Sequence, residues 1–570
     1  VLLGLGIVWI AVTGYLASRQ ARDISTRLQQ IRILVSQGDT TEAQVLATDV
    51  AQMADRLDRL TSGPAWWIGS SVPWIGDPLE SIRSIASASD EVGSHVVPVL
   101  AKEIPRIDPA SLRVRGDTYR LAPLAQALPG LEQADNALLS AKRKIDDAPS
   151  STWLSLVDNK HKDLASQISQ IEGYVAAATR VARIAPTMMG SDHPQTYFIG
   201  LQNEAELRGT GGLPGAWAIG RTDHGTVHFT QFGSDTALQD KGKHHLIPTG
   251  LDFGSDYNSA YGASQPTESF VDSNVSPNFP YTAQIWAAMW QKVTGQRVDG
   301  VVALDPTVLS YFLRVAGPIV AKYHVPVTAD NVVSVTQKDE YALFPSNVER
   351  KPFLVSVLRA TAHEVTSGSG KPVSLVRAAS QAAIDHRLLI WSRYPSIERV
   401  LEQTNYSGAI PQNAQPFSGL VLNNASGGKL DYYLQRTVNY QRAGCSSTSD
   451  VSVTISLTNV APAAGLSPYV TSRLDTPPPG AQVGDYKTLL DYYATVGAKL
   501  QSITVDGRPS TATVEQAFGH PIFRVEQQLP RGTTQTIVLH LQEPRGMAAP
   551  RIWRQPGVTP VDVDVSDQPC

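Results

Sequence analysis

Residues 195–220 read QTYFIGLQNEAELRGTGGLPGAWAIG. Thr196 to Leu201 is a short apolar run of the kind buried in an α/β sheet. A glycine-rich loop is predicted over 202–215, after which the strand resumes at Ala216-Trp217-Ala218-Ile219. Past a turn at Asp223-His224-Gly225, Thr226 to Phe232 alternates with period two, so a hairpin is expected. A helix over 281–293 and a strand over 300–304 follow, and the segment predicts one mixed sheet layered with helices.

Upstream the periodicity is helical from 23 to 182. Ile24, Leu28, Ile31 and Leu34 form one stripe, and Leu46, Val50, Met53, Leu57 and Leu60 form another. Gly38-Asp39 offers a turn between them, so two antiparallel helices packed seam to seam are expected. Further helices are predicted near 79–100, 131–144 and 153–181. Trp66, Trp67 and Trp74 fall in Pro/Gly punctuation between helices. They suit a membrane-interface belt or a partner site, although rings filling the end of a bundle are the more economical reading.

Residues 1–17, VLLGLGIVWIAVTGYLA, carry no ionisable group. The stretch is at the lower edge of the length that crosses about 30 Å of hydrocarbon, and it predicts a transmembrane anchor over 1–18. A signal peptide cut near Gly14-Tyr15-Leu16-Ala17 and a buried core helix are the rival readings. Arg19, Arg22 and Arg27 would pull this end towards the cytoplasm, but long domains translocate largely regardless of charge. The expected location is therefore the cell membrane, single-pass, with the bulk of the chain extracytoplasmic.

Downstream, strand-like runs at 430–440, 450–457, 500–505, 535–541 and 561–565 alternate with Pro and Gly clusters and predict a β-sandwich. The two cysteines, Cys445 and Cys570, both lie in this segment. Their placement predicts one disulfide closing it in an oxidising compartment, with free thiols as the alternative. The whole is expected to be a multidomain α+β chain: anchor 1–18, helical stalk or bundle 19–187, α/β domain 188–410 and β-sandwich 415–570.

Composition fits this division. The chain has 570 residues, 42% of them hydrophobic, with 43 Gly and 38 Pro, enough for three or four units with real cores. Lys plus Arg (48) nearly balances Asp plus Glu (52), for a formal charge of −4. There is no basic field for binding many phosphates, which argues against a nucleic-acid partner.

The residues around the first hairpin suggest an anion pocket. Arg208 offers a planar fork for bidentate phosphate contact. Gly209, Gly211 and Gly212 would let backbone amides approach an oxyanion. Asp235 could hold a magnesium-bridged pyrophosphate or orient an acceptor hydroxyl. Each has a structural competitor: Arg208 paired with Glu204 or Glu206, Asp235 capping a turn, the glycines making tight turns. His224, His228, His244 and His245 lack the spacing of a metal site. No P-loop, Rossmann fingerprint or nucleophile elbow occurs.

Three stretches, GPAWWIG…VPWIGD (63–77), GLQNEAELRGTGGLPGAW (200–217) and KLDYYLQRTV (429–438), together resemble the bacterial domain-of-unknown-function family number four thousand and twelve, common in actinobacterial membranes. That resemblance implies an architecture and a compartment, not an activity. Segments 232–238, 256–262, 298–305 and 315–320 look more distantly like successive blocks of the LytR-CpsA-Psr family. Those enzymes transfer glycopolymers from a polyprenyl-pyrophosphate carrier with arginines, aspartates and a divalent ion, so this likeness implies a LytR-CpsA-Psr-like α/β domain and, if it is catalytic, Mg2+. Asp235 matches the Asp of that family's Pro-Arg-Asp-Thr block, but Gly233-Ser234 replace the Pro-Arg pair. Arg208 stands near another family arginine, followed by Gly209-Thr210 rather than Ser-Asp. Arg350 and Lys351 could match the later arginines, or form a solvated helix face.

The incomplete set favours binding or handling of a lipid-linked or surface glycan during envelope assembly over catalysis. A glycopolymer phosphotransferase using Arg208 and Asp235 is the first alternative. A structural oligomer or surface-filament component is the second. Protein partners would meet the stalk, the Trp loop or the sandwich.

Overall fold

The computed structural model describes residues 2–37, 40–74, 76–444, 447–546 and 548–568. The chain forms two compact units, Val1–His193 and Pro194–Cys570.

The first unit is helical. Its elements are α1 (Leu2–Gln37), α2 (Thr40–Thr61), α3 (Pro64–Ser70), α4 (Asp77–Glu91), α5 (Val97–Ile107) and α6 (Pro109–Leu112), then a small hairpin, β1 (Arg113–Arg115) and β2 (Thr118–Tyr119), then α7 (Ala122–Asp146) and α8 (Ser155–Met188). Leu131, Ala134, Leu138, Ala141 and Ile145 recur on α7 at intervals of three and four, all buried, and four of them join Ile168 and Val175 of α8 in one cluster. This is the seam that helical periodicity produces. On α2 the fully buried face is Ala43, Ala47, Val50 and Ala54, rotated from the larger stripe expected. Small side chains let helices approach closely: a Cβ on Gly93 would lie 2.5 Å from Ala54 Cβ.

The transmembrane anchor expected over 1–18 is not supported. Among the described residues no helix is long and apolar enough to cross a membrane. The apolar stretch is instead the first half of the 36-residue α1, which runs without a break into a polar second half. Part of its face is held by protein: Trp66 Nε1 donates to Thr13 Oγ1 at 2.8 Å, and Ala17 packs with Leu57 and Ala86. Trp66 thus fills the bundle, as the economical reading had it, whereas Trp67 and Trp74 are exposed.

In the second unit, β3 (Gln195–Arg208) pairs antiparallel with β4 (Gly211–Asp223), and β4 with β5 (Thr226–Ser234). The expected loop over 202–215 is therefore mostly strand, turning only at Gly209-Thr210. Next come α9 (Asp235–Gln239), α10 (Ser255–Tyr261), α11 (Phe279–Thr294), β6 (Gly300–Leu304), α12 (Pro306–Ala316), a short pair β7 (Ile319–Val320) and β8 (Pro326–Val327), α13 (Val332–Ser334), α14 (Glu340–Leu343), α15 (Asn347–Thr366), α16 (Pro372–Ile384), β9 (Leu389–Ser392) and α17 (Pro395–Leu401). β6 runs parallel to β3 and antiparallel to β9, giving the order β5-β4-β3-β6-β9.

Side chains alternate across this mixed sheet. Phe198, Trp217, Ile219 and Val301 join the aromatic core under α11. Leu201, Ala216, Ala218 and Leu304 face the cluster that includes Val308 of α12 and Phe353 of α15. Both faces are thus covered, the condition for such a sheet to be stable. Gly200 leaves room for an indole: a Cβ there would lie 2.4 Å from Trp286.

The remainder is a β-sandwich, as expected. β10 (Phe417–Asn424), β11 (Leu434–Ala443), β12 (Thr448–Asn459), α18 (Pro468–Thr471), β13 (Tyr486–Ala494), β14 (Lys499–Val505), β15 (Arg508–Pro509), β16 (Thr513–Ala517), β17 (His520–Leu529), β18 (Thr534–Pro544), β19 (Arg551–Arg554) and β20 (Asp562–Asp567) complete the chain. They form sheets β16-β17-β13-β10-β19 and β15-β14-β18-β12-β11-β20, whose facing side chains share one core. Val421 and Tyr493 on the outer face of the first sheet pack with Tyr257 and Tyr261 of α10, joining the sandwich to the α/β part. Cys445 and Cys570 lie outside the described residues.

Candidate functional site

The end of the β3–β4 hairpin meets the sandwich in a cluster of polar bonds. Gln555 Nε2 donates to the Arg208 carbonyl at 2.8 Å and to Leu422 O at 2.7 Å. Leu207 N donates to Asp431 Oδ2 at 2.9 Å. Burial pushes the Asp431 carboxyl up to about 6 against these bonds.

Beside this junction opens a cleft of about 530 Å³. It gathers four of the sequence candidates, Arg208, Asp235, Arg350 and Lys351, from β3, α9 and the first turn of α15. Gly209, Gly211 and Gly212 do not line it. They are buried in the hairpin, where a Cβ on Gly209 would lie 2.3 Å from Val275 O and one on Gly212 2.3 Å from Asn203 backbone. At Gly209 and Gly212 the missing side chain serves close backbone packing. Gly211, at φ 138°, takes a backbone conformation that L side chains rarely adopt.

The cations of the cleft are already engaged. The Arg208 guanidinium is 3.0 Å from both Glu206 Oε1 and Asp272 Oδ1, one of the two pairings its competitor reading named. Lys429 is paired with Glu206 from the other side. Burial pushes the Glu206 carboxyl up, but Lys429 and Arg208 outweigh it and hold the group below its ordinary range. Lys351 Nζ lies 2.6 Å from Asp235 Oδ1. Arg350 is buried, donates to the carbonyls of Phe344 and Pro345 and to Asn347 Oδ1, and sits 3.9 Å over the Tyr469 ring. It is not the solvated helix face that its position allowed.

Asp235 does not cap its helix. Ser234 does, accepting from Ala237 N at 3.3 Å. Asp235 also does not fit magnesium, because its carboxylate is held by an ammonium where a metal would need it free. Among the described residues no group of three or more His, Cys, Asp or Glu side chains is placed to hold a metal ion.

Several lining residues had no sequence signal. Glu340 is wholly buried beside Arg350, Lys351 and Lys429, yet burial holds its carboxyl well above the ordinary range. Tyr341 stacks on Tyr469 at 5.6 Å and accepts from Asn203 Nδ2 at 3.0 Å. Lys429 opens the KLDYYLQRTV stretch, but nothing in its spacing marks it as an ion-pair partner of Glu206.

Deeper in the unit, Arg387 pairs with Glu204 and, at 2.7 Å, with Asp305 Oδ2, and donates to Gly557 O at 2.6 Å. Asp305 also caps α12 by accepting from Val308 N at 2.9 Å. A second cavity, of about 500 Å³, is lined by Tyr281, His386, Trp391, Glu398, Arg551 and Trp553 among others. Burial pushes the Glu398 carboxyl up to about 7 and the His386 imidazole down to about 4.

No curated protein matches the chain, and no solved structure does. The LytR-CpsA-Psr likeness accordingly finds no match among them. The family match covers the 200–217 stretch but neither 63–77 nor 429–438. Residues 192–341, which carry Arg208, Asp235, Asp272 and Glu340 of the cleft, match the family model described as "Protein of unknown function (DUF4012)", and this segment is a DUF4012 domain.

Proposed function

We propose that the protein is a membrane-attached, extracytoplasmic envelope protein that binds a surface glycan in the cleft between the DUF4012 segment and the sandwich, without catalysing its transfer. The observation that carries this reading is the state of the cleft's charges. Arg208, Lys351 and Lys429 are each matched by a carboxylate, and Arg350 is spent on carbonyls and a tyrosine face. A pyrophosphate entering the cleft would have to displace these partners, at the cost of leaving buried carboxylates unpaired.

What the lining offers instead suits sugar hydroxyls: the half-buried amide of Asn203, the exposed hydroxyl of Ser472 and the half-buried ring of Tyr469. Leu213, Val271, Leu354 and Leu474 add apolar surface beside these groups, which suits the non-polar faces of sugar rings. The neutralised Arg208 and Asp235 likewise weigh against the phosphotransferase alternative. Attachment to the membrane would come from the apolar N-terminal stretch.

Titration calorimetry of the purified chain with oligosaccharides released from envelope polysaccharide tests this. Binding is expected with or without magnesium, and it should weaken in Tyr469→Ala. Magnesium-dependent transfer of the phosphoglycan from a polyprenyl-pyrophosphate carrier to an acceptor hydroxyl, with release of polyprenyl monophosphate and lost in Asp235→Asn, would overturn it.

A further inference from the structure

In the first unit, the outward face of α1 changes character within one turn. Trp9, Val12, Tyr15 and Leu16 are exposed, whereas Arg19 and Asp23 take over the exposed positions immediately after them. Such an abrupt edge between large apolar and charged side chains is not a random scatter of surface hydrophobics.

The short helix α3 lies at the apolar level of α1. The Trp66 ring is 3.7 Å from where a Cβ on Gly14 would stand, and Ile10 Cδ1 is 3.3 Å from the same point on Gly69. Trp66 turns inward to Thr13. Its neighbours turn outward: Trp67 is 61% exposed and Ile68 63%, followed by Val72 and by Trp74 at 70%.

The loop that carries Trp74 is tightly built. Gly76 N donates to Val72 O at 2.7 Å, and a Cβ on Gly76 would meet three backbone oxygens at 2.5–2.7 Å. Trp74 itself has φ 65°, a left-handed conformation uncommon for a bulky residue. Strain of this kind persists where the surroundings fix it, and it gathers at functional positions. Here it holds an indole out of the bundle.

Arginines border the patch. Leu16 shares a surface pocket with Arg19, Arg56 and Arg59, together with Gln20, Asp23 and Leu60. Arg59 is paired with Asp55, four residues earlier on α2. The arginines therefore outnumber the acids at this border by a narrow margin.

We propose that this end of the first unit lies in the headgroup layer of an anionic lipid bilayer, with Trp67, Ile68, Val72 and Trp74 inserted beside the apolar face of α1 and the arginines meeting lipid phosphates. The occupant follows from chemistry. Indole and phenol rings combine an apolar body with a polar tip and concentrate at headgroup depth. Long arginine side chains reach from an apolar edge to the phosphates. A helix lying in the interface with aromatic and aliphatic side chains down is a recognised mode of membrane attachment. This inference rests on the membrane attachment proposed above and adds a second element, α3 and its loop, to it.

The full chain, mixed with phosphatidylcholine and phosphatidylglycerol vesicles, is first assayed by flotation. Tryptophan emission is then measured with brominated lipids and with acrylamide. Bromines are expected to quench the wild type, with a large part of that quenching lost in Trp67→Phe/Trp74→Phe, whose thermal melt is unchanged. Acrylamide should quench the difference emission in solution and lose access on vesicles. Removing phosphatidylglycerol, or replacing Arg19 and Arg56 by Gln, should lower partition. A chain that floats while Trp67 and Trp74 stay open to acrylamide and untouched by bromines overturns the insertion of α3 and leaves attachment standing. A chain that does not float overturns both.

Discussion

Lys351 Nζ lies 2.6 Å from Asp235 Oδ1 and donates to Oδ2 at 2.7 Å, across 116 residues of chain. Both residues are read from sequence as candidates for gripping an anion or a metal, and the fold has spent them on each other. Lys351→Met should leave a nearly buried carboxylate without its partner and lower the stability of the second unit by about 3 kcal/mol. Lys351→Met/Asp235→Asn should recover much of that loss, because the cost is the unpaired charge. Urea denaturation of the four chains of the cycle measures it. An additive double variant would show that the two groups act independently.

Arg208 extends the same logic. It joins Glu206 and Asp272, while Lys429 holds Glu206 from the sandwich side. Arg208→Ala is expected to destabilise the second unit by about 3–5 kcal/mol, more than any change at an exposed arginine such as Arg314. Arg208→Ala/Glu206→Gln/Lys429→Met, which leaves no buried charge of this group unpaired, should be milder than Arg208→Ala if the penalty is unmatched buried charge. Equal melting temperatures for the two would refute that cause.

The pH dependence is expected to carry the mark of Glu398. Its Oε2 accepts from Ser392 N at 2.8 Å, and burial raises the folded pKa from 4.5 to about 7. In the window between those values the folded chain holds a proton that the unfolded chain releases, so this residue's contribution to stability falls as pH rises from about 4.5 to about 7. His386, depressed from 6.5 to about 4, acts in the opposite direction: its contribution is lost as pH falls through that window. Glu398→Gln keeps an oxygen for Ser392 and removes the titration. The variant should melt with the wild type near pH 5 and above it near pH 8, by roughly 2–3 kcal/mol. Calorimetry at the two pH values checks the sign, and a variant that loses stability at pH 8 contradicts it.

How much of this was legible follows from the kinds of signal involved. Period-two alternation at 226–232 and the apolar run at 300–304 predict strands that form as β5 and β6. Pairing of Glu206 with Arg208 was foreseeable because the two residues are neighbours in sequence. Its other half was not: Asp272 and Lys429 arrive from 64 and 223 residues away, and no local pattern encodes such a meeting. The glycines at 209–212 mislead for a related reason, since a residue without Cβ serves an oxyanion or a close-packed backbone equally well, and only Val275 and Asn203 decide between them. On α2 the large residues Leu46, Met53 and Leu60 draw the eye, while Ala43, Ala47 and Ala54 occupy the tightest face, because close helix approach rewards small side chains.

The two cysteines of the sequence carry a prediction of their own. β11 and β20 run parallel, with Thr437 opposite Asp562 and Arg442 opposite Asp567, a constant interval of 125 residues. Cys445 and Cys570 are separated in the sequence by the same interval. Both cysteines lie outside the described residues, and the expected bond rests on their placement in the sequence. The chain purified from an oxidising compartment is therefore expected to yield a Cys445–Cys570 linked peptide, with an intact mass lower by two hydrogens than after reduction. Reduction should then lower the stability of the second unit by about 2–4 kcal/mol. Alkylation of both thiols in unreduced, denatured protein would refute the bond, and a linked peptide without a change in melting would refute its contribution to stability.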